Sequence, residues 1–326
     1  MKKITPFHKD ILKIDPAAVT PELVANLRRD VRQTLRRSGA VVGISGGLDS
    51  SVVLALCVRA FDPKRVIGIM MPEQDSSRDS IVLARKLATQ FGVETVVEDM
   101  TGALVGFDCY ARRDEAIKRI FPEYDPSYKA KITLPGDVMD SDALNIFYLT
   151  IITPDGEEKS KRLNLRDYLQ IVAASNFKQR SRMTMLYYHA ELRNYAVVGT
   201  PNKNEHDQGF FVKWGDGGYD VAPIRHMFKT QIYQLAEYLD VPPEIRQATP
   251  TTDTYSAHSS QEEFFFRLPF EVMDLLWYAK EHDVPATEAA QVMNLTEEQV
   301  QRVFTDLTRK HRTTRYLRML PIDYSK

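Results

Sequence analysis

The stretch Val41-Val42-Gly43-Ile44-Ser45-Gly46-Gly47-Leu48-Asp49-Ser50-Ser51 decides how the chain folds. Residues 40–44 form a short apolar run suited to a buried parallel strand. Val52, Val53, Leu56 and Cys57 follow at helical spacing, so the strand gives way to a helix starting near Asp49. Gly46 and Gly47 between them can take positive φ and carry no Cβ to obstruct an oxyanion. The helix N-terminus points free N–H groups at the loop. Ser45, Ser50 and Ser51 are candidate hydroxyl donors. This is phosphate-cradling chemistry, but no G-K-[ST] follows, so the loop is not a Walker A site. Asp49 is the anomaly, because its charge repels phosphate unless a cation lies between them.

Working outward, Val66-Ile67-Gly68-Ile69-Met70-Met71 reads as a second strand, residues 76–91 as a helix and Glu94-Thr95-Val96-Val97 as a third strand. Strands alternating with helices specify an α/β fold, a parallel sheet flanked by helices. Upstream, Thr20-Pro21 reads as a helix start, with Leu23, Leu27, Val31 and Leu35 on one stripe and five arginines between Arg28 and Arg37 on other faces. Residues 108–165 break the rhythm with Phe121-Pro122, Asp125-Pro126 and Pro135-Gly136. A strand over 145–152 and a turn at Pro154-Asp155-Gly156-Glu157 predict an inserted hairpin or lid-like subdomain. The sheet resumes with a helix near 167–192 and a strand over 195–199. One domain, 1–326, is expected: a core over 39–253 carrying that insertion, then C-terminal helices over 262–326. Residues 289–300 resemble a helix-turn-helix, with a capping box from Thr296 to Gln299; packing is the more ordinary use of such a unit.

Composition narrows the function classes. The 43 basic and 44 acidic residues leave a net charge of -1, without the basic excess of a nucleic-acid binder. No apolar run approaches the roughly 20 residues of a membrane span. Cys57 and Cys109 have neither disulfide-scaffold nor zinc-ligand spacing, and read as reduced structural cysteines of a cytoplasmic protein.

The S-G-G-x-D-S loop at a first strand–helix turn resembles the pyrophosphate loop of the ATP pyrophosphatase superfamily. Four further stretches resemble the NAD synthetase family within it: Asn176-Phe177-Lys178-Gln179-Arg180-Ser181-Arg182-Met183, Gly199-Thr200-Pro201-Asn202-Lys203-Asn204-Glu205, residues 209–224 from Gly209-Phe210-Phe211-Val212-Lys213 through Asp216-Gly217-Gly218-Tyr219-Asp220, and residues 228–236 opening Phe228-Lys229-Thr230. The third, G-F-F-x-K-x-G-D-G-G-x-D, is the most specific. The resemblance covers about 39–253 apart from the insertion.

The resemblance implies an adenine nucleotide alpha-hydrolase-like, Rossmann-like fold that cleaves ATP between its α- and β-phosphates. It assigns ATP to Gly43, Ile44, Ser45, Gly46, Gly47, Leu48, Asp49, Ser50 and Ser51, with Arg180, Thr200, Lys229 and Thr251. Asp49 and Glu205 would share Mg²⁺. Deamido-NAD would meet Asn176, Lys213, Asp216 and Asp220. Residues 250–253 resemble the start of a loop that closes over ATP, and His258 beyond them is a weaker base candidate. No side-chain nucleophile is implied: the deamido-NAD carboxylate attacks ATP, and ammonia displaces AMP. About forty residues precede the loop, fewer than a glutaminase domain needs, so free ammonia or a separate ammonia-supplying protein is expected. The family also implies a homodimer.

Departures are the insertion, the run Phe264-Phe265-Phe266, and an altered C-terminal H-K-R pattern. Lys310-His311-Arg312 and Tyr316-Leu317-Arg318 are both candidates for that pattern. Two rivals follow: a related amide ligase acting on another carboxylate, and a non-catalytic nucleotide-binding module.

Overall fold

The computed structural model describes residues 6–134, 138–139, 147–249, 255–257 and 265–324. Helix α1 (Pro16–Arg29) begins earlier than expected. Asp15, not Thr20, is its cap: the carboxylate accepts from the amides of Ala17 at 3.0 Å and Ala18 at 3.4 Å. Thr20 is buried in the interior face of the helix and Pro21 lies within it. Both Asp-Pro and Thr-Pro are good start signals; burial of Thr20 decides between them. The expected stripe is correct, with Leu23, Leu27 and Val31 buried.

Strand β1 (Ala40–Gly43) leads into α2 (Leu48–Phe61), then β2 (Val66–Met70), α3 (Arg78–Phe91), β3 (Glu94–Val97), and the helices α4 (Thr101–Gly106) and α5 (Cys109–Ile120). A second sheet follows: β4 (Lys129–Thr133), β5 (Tyr148–Ile152) and β6 (Glu158–Arg162). Helix α6 (Leu165–Arg193) returns to the first sheet at β7 (Ala196–Val197). Then come α7 (Lys203–Gln208), α8 (Lys229–Tyr238), α9 (Pro243–Gln247), α10 (Phe270–Glu281), α11 (Ala286–Met293), α12 (Glu297–Thr313) and α13 (Arg315–Arg318).

The main sheet is parallel in the order β3-β2-β1-β7. Its central strands are apolar along their length because helices cover both faces. Helix α2 has eleven buried residues among its fourteen and packs under the sheet with α1 and α8. On the opposite face, Met183, Leu186 and Ala190 of α6 meet Val41, Ile67 and Val197. The last strand is shorter than the expected 195–199; beyond Val197 only a bridge from Val198 to Val221 continues it.

The expected inserted hairpin is a three-stranded antiparallel sheet, β4-β5-β6. The Pro154–Glu157 turn closes β5 onto β6, with Gly156 at φ +86°. Strand β4 was not anticipated, although Ala130 and Ile132 alternate inward from Lys129, Lys131 and Thr133 as a half-buried strand requires. The expected helix-turn-helix is α11 and α12, closed by Thr296 and Gln299 in a reciprocal capping box. Val300, Val303 and Leu307 bury against α10, so this unit closes a hydrophobic core. No helix among the described residues is long and apolar enough to cross a membrane.

Candidate functional site

Parallel strands place their carboxyl ends on one edge, and ligands of open α/β sheets bind there. The glycine loop occupies that edge between β1 and α2. Gly46 has φ +79°, and a Cβ there would lie 2.5 Å from the carbonyl oxygen of Ser80. Glycine is required both by conformation and by close approach of α3. Gly47 is the N-cap of α2 and gives it no side-chain cap. The first-turn amides therefore face the loop, where an anion complements them.

The three serines also bond within the loop itself. Ser50 and Ser51 both donate to the Gly47 carbonyl, at 3.0 and 2.8 Å, and both are buried. Ser45 Oγ accepts the Gly47 amide at 3.2 Å. These bonds shape the loop. Leu48 is in the core. The Ile44 amide donates to the Ile69 carbonyl at 2.9 Å, which carries the β1–β2 ladder one residue past the strand and sets where the loop departs.

Asp49 lies in the first turn of α2, where its Oδ2 is 2.5 Å from Lys229 Nζ. Lys229 is almost fully buried at the start of α8. Burial works against its charge, but Asp49 and Glu205 outweigh that and hold its pKa above the ordinary lysine value. Glu205 enters on α7, the helix after β7. Asn202 caps that helix in a reciprocal capping box: the Glu205 amide donates to Asn202 Oδ1 at 3.0 Å and the Asn202 amide donates to Glu205 Oε2 at 3.2 Å. Asn202 Nδ2 also donates to Asp49 Oδ1 at 3.4 Å. One asparagine thus contacts both carboxylates. Burial first, and then Asp49, push the Glu205 pKa up to about 8.

The donor set fits Mg²⁺. Two carboxylates that bond the same asparagine, with one destabilised by the other, are what a divalent cation would relieve. No cluster of three or more His, Cys, Asp or Glu able to hold a metal occurs among the described residues. An ion here would complete its shell with phosphate oxygens and water, the usual habit of Mg²⁺.

Asn202 was quoted in a motif but not singled out by sequence reasoning; its signal was N-x-x-E, a capping-box pattern. Two further networks had no sequence signal. Asn204 accepts the Lys229 amide at 3.2 Å and bonds Asp274, which also accepts the Thr230 amide and hydroxyl, each at 2.9 Å. This network seats α8 and hence Lys229. Beyond β2, the buried Lys178 Nζ lies 3.2 Å from Glu73 Oε1 and 2.5 Å from Asp75 Oδ2, and Arg113 also pairs with Asp75. These ties fix the loop between β2 and α3 to α5 and α6.

A cavity of about 780 Å³, with His206 of α7 in its lining, opens between α6, the glycine-rich turn and α13. Arg180, Lys213, Arg225 and Arg318 line it, with Glu191 the one carboxylate residue among the lining. Tyr187, Phe211, Trp214 and Tyr219 supply aromatic surface. Of the residues expected to meet the acceptor, only Lys213 lines the cavity. Its ammonium donates to the carbonyls of Tyr316 at 3.2 Å and Met319 at 2.7 Å, tying down the C-terminal wall. Asp216 is exposed and accepts the Val212 amide at 2.7 Å, closing its turn. Asp220 accepts the Val197 amide at 2.8 Å and the Tyr187 hydroxyl at 3.1 Å, so it reaches the cavity through Tyr187. Asn176 lies on α6 one turn before Arg180, outside the lining.

Arg180, expected at ATP, lines this cavity and donates to the Lys213 carbonyl at 3.2 Å. Thr200 is half-buried between β7 and α7. Thr251 and His258 lie outside the described residues. Of the two C-terminal candidates, Leu317 and Arg318 line the cavity. Lys310 is buried on α12 against Asp306 at 2.8 Å and the Phe265 carbonyl at 2.8 Å.

Comparison with known proteins now decides the family. The family model described as NAD synthase matches residues 19–120 and 142–320. The chain belongs to the NAD synthase family. A curated relative from Mesorhizobium japonicum, named NH(3)-dependent NAD(+) synthetase, is 50% identical over 96% of this chain and 98% of its own. Among solved structures, an NH3-dependent NAD synthetase from Campylobacter jejuni matches with a TM-score of 0.62 at 21% identity, covering 96% of this chain and all of its own. An NMN synthetase from Francisella tularensis matches with a TM-score of 0.60 at 19% identity over 96% of this chain and all of its own. At such identities the structural likeness speaks for the fold. Within the family match, the unmatched stretch is 121–141, which is narrower than the expected insertion and contains β4.

Proposed function

We propose that this chain amidates deamido-NAD with ammonia, consuming ATP and releasing AMP and pyrophosphate. The observation that carries the reading is Asn202 holding Asp49 and Glu205 together beside an uncapped helix N-terminus and a buried lysine. In this reading the α2 amides and Lys229 take the departing phosphates. Asp49 and Glu205 would hold Mg²⁺, which when bound would supply positive charge against the negative charge of the triphosphate. The cationic, aromatic cavity takes the dinucleotide acceptor, and its size lies within the range of small-molecule sites, about 300–1,000 Å³. The acceptor carboxylate attacks the α-phosphorus and forms an acyl adenylate; ammonia then attacks the carbonyl and AMP leaves. Positioning and electrostatics drive both steps, with no covalent enzyme intermediate.

Several finer assignments belong to the same proposal. Asn176, Asp216 and Asp220 act around the acceptor, the last through Tyr187. Thr200 and Thr251 contact the nucleotide. Ammonia arrives free or from a separate protein, and the reaction takes place in the cytoplasm. The active form is a homodimer; Tyr188 and Leu192 of α6, 54% and 63% exposed, provide apolar surface for it.

Incubating the protein with deamido-NAD, ATP, Mg²⁺ and ammonium should yield NAD and AMP in equal amounts by mass spectrometry. One observation favours a second acceptor: Leu317 lines the cavity where the resemblance expects a lysine. AMP release with ammonium and a different carboxylic acid, but none with deamido-NAD, would replace the acceptor while keeping the adenylation chemistry.

A further inference from the structure

The cavity runs along α6. Arg180, Thr184, Tyr187, Tyr188 and Glu191 line it, and their spacing puts them on one face of that helix. Arg180 and Glu191 are eleven residues apart on α6, about 16 Å along the axis. The two ends of this row lie at opposite edges of the main sheet. Near the first, Arg182 Nε donates to the carbonyl of Met71 at 3.1 Å, just past the carboxyl end of β2. Near the second, the Asn194 carbonyl accepts the Ser38 amide at 2.9 Å, just before the amino end of β1. Arg180 is therefore on the side of the glycine loop, and Glu191 is at the far end.

Helix stability does not account for Glu191. It lies in the last turn of α6, where the helix dipole disfavours a negative charge. It is exposed and forms no ion pair among the described residues, although Arg180, Lys213, Arg225 and Arg318 line the same cavity. Those cations suit the anionic groups of a dinucleotide, and a carboxylate repels them. A carboxylate suits hydroxyl donors instead. In the proposed reaction the nicotinate carboxylate must reach ATP at the carboxyl edge of the sheet, so the adenosine half of the acceptor extends toward the far end. We propose that Glu191 is a specificity-determining residue: it accepts from the hydroxyls of the adenosine ribose and rejects an acceptor that carries a phosphate on the 2′ oxygen. In Rossmann-type dinucleotide sites an acidic residue takes the free 2′-hydroxyl and an arginine takes the 2′-phosphate. A phosphate at this position would bring further negative charge against the carboxylate. The inference rests on the cavity being the acceptor's.

Initial rates of amide formation by the full chain, with ATP, Mg²⁺ and ammonium, test it on deamido-NAD and on its 2′-phosphorylated form, using Glu191→Gln and Glu191→Arg. Both changes remove a charge that the helix dipole disfavours, so the variants should fold as wild type does. Wild type should prefer deamido-NAD by on the order of a hundredfold in kcat/KM. Glu191→Gln should raise KM for deamido-NAD about three- to tenfold, the scale of one hydrogen bond. The same variant should raise kcat/KM for the phosphorylated acceptor about tenfold, and Glu191→Arg should raise it further. The two acceptors thus move in opposite directions, whereas a purely structural role would lower both. Equal movement of both, no change in either, or a wild type that uses the two alike would overturn the inference and leave the reaction standing. A wild type that makes no NAD from deamido-NAD would overturn the reading of the reaction along with it.

Discussion

Glu205 caps α7 through Asn202 and also faces Asp49. Its neighbour's charge makes ionisation costly, while the proposed cation needs both carboxylates. Glu205→Gln keeps the capping box, because glutamine serves at that position as well, and removes the like-charge contact. Metal-free Glu205→Gln should therefore unfold at a higher temperature than wild type, while NAD formation falls on the order of a hundredfold. Calorimetry and a timed NAD assay on one preparation check both halves. Asp274 gives a separate pH dependence. Burial pushes its pKa up to about 6, above the ordinary aspartate value of 3.8, against the opposing bonds from Thr230 and Asn204. Between those values the folded chain binds a proton that the unfolded chain has released, so stability from this group falls as pH rises. Below 3.8 the effect is fully favourable, and above about 6 the loss is complete. The unfolding temperature of wild type minus that of Asp274→Asn should decline between pH 4 and 6 and be level above. A flat difference across that window would remove this account of Asp274.

At the scale of elements, the glycine loop and the capping box of α12 make opposite demands. Gly46→Ala meets both a left-handed backbone and the Ser80 carbonyl. The backbone alone costs about 1–2 kcal/mol, and relief of the clash moves the loop from α3. Both the unfolding temperature and ATP affinity should fall, as read by thermal unfolding and titration. Thr296→Ala loses the cap of α12, worth about 1 kcal/mol, far from the carboxylates. It should lower the unfolding temperature and leave NAD formation at the wild-type rate. The elements themselves were legible where one physical signal dominated. The strand at 40–44, the start of α2 and both ends of the long helix α6 were read within two residues of where they lie, because an apolar run broken by glycines marks the first two and helical periodicity the third. Strand β4 was missed because five residues with three polar positions are a weak signal until β5 pairs with them. The start of α1 was misplaced because two Asx/Thr-Pro signals compete within six residues.

For the whole molecule, sedimentation should report a dimer at micromolar concentration, and Leu192→Glu should shift it toward monomer if α6 forms the interface. A wild-type monomer would separate this chain from the expected assembly. The sequence by itself determined the parallel α/β core, the glycine loop between β1 and α2 and the separate turns bearing Asp49, Glu205 and Lys229, because these follow from local periodicity, glycine geometry and motif spacing. Which side chains meet was decided only by tertiary structure. Asn202 bridges two carboxylates from distant turns, Arg180 lies at the cavity, and Asp220 is engaged by Tyr187 and the edge of β7. The reason is physical: a carboxylate's task depends on the donors within about 3 Å of it, and those donors come from elements that only packing brings together.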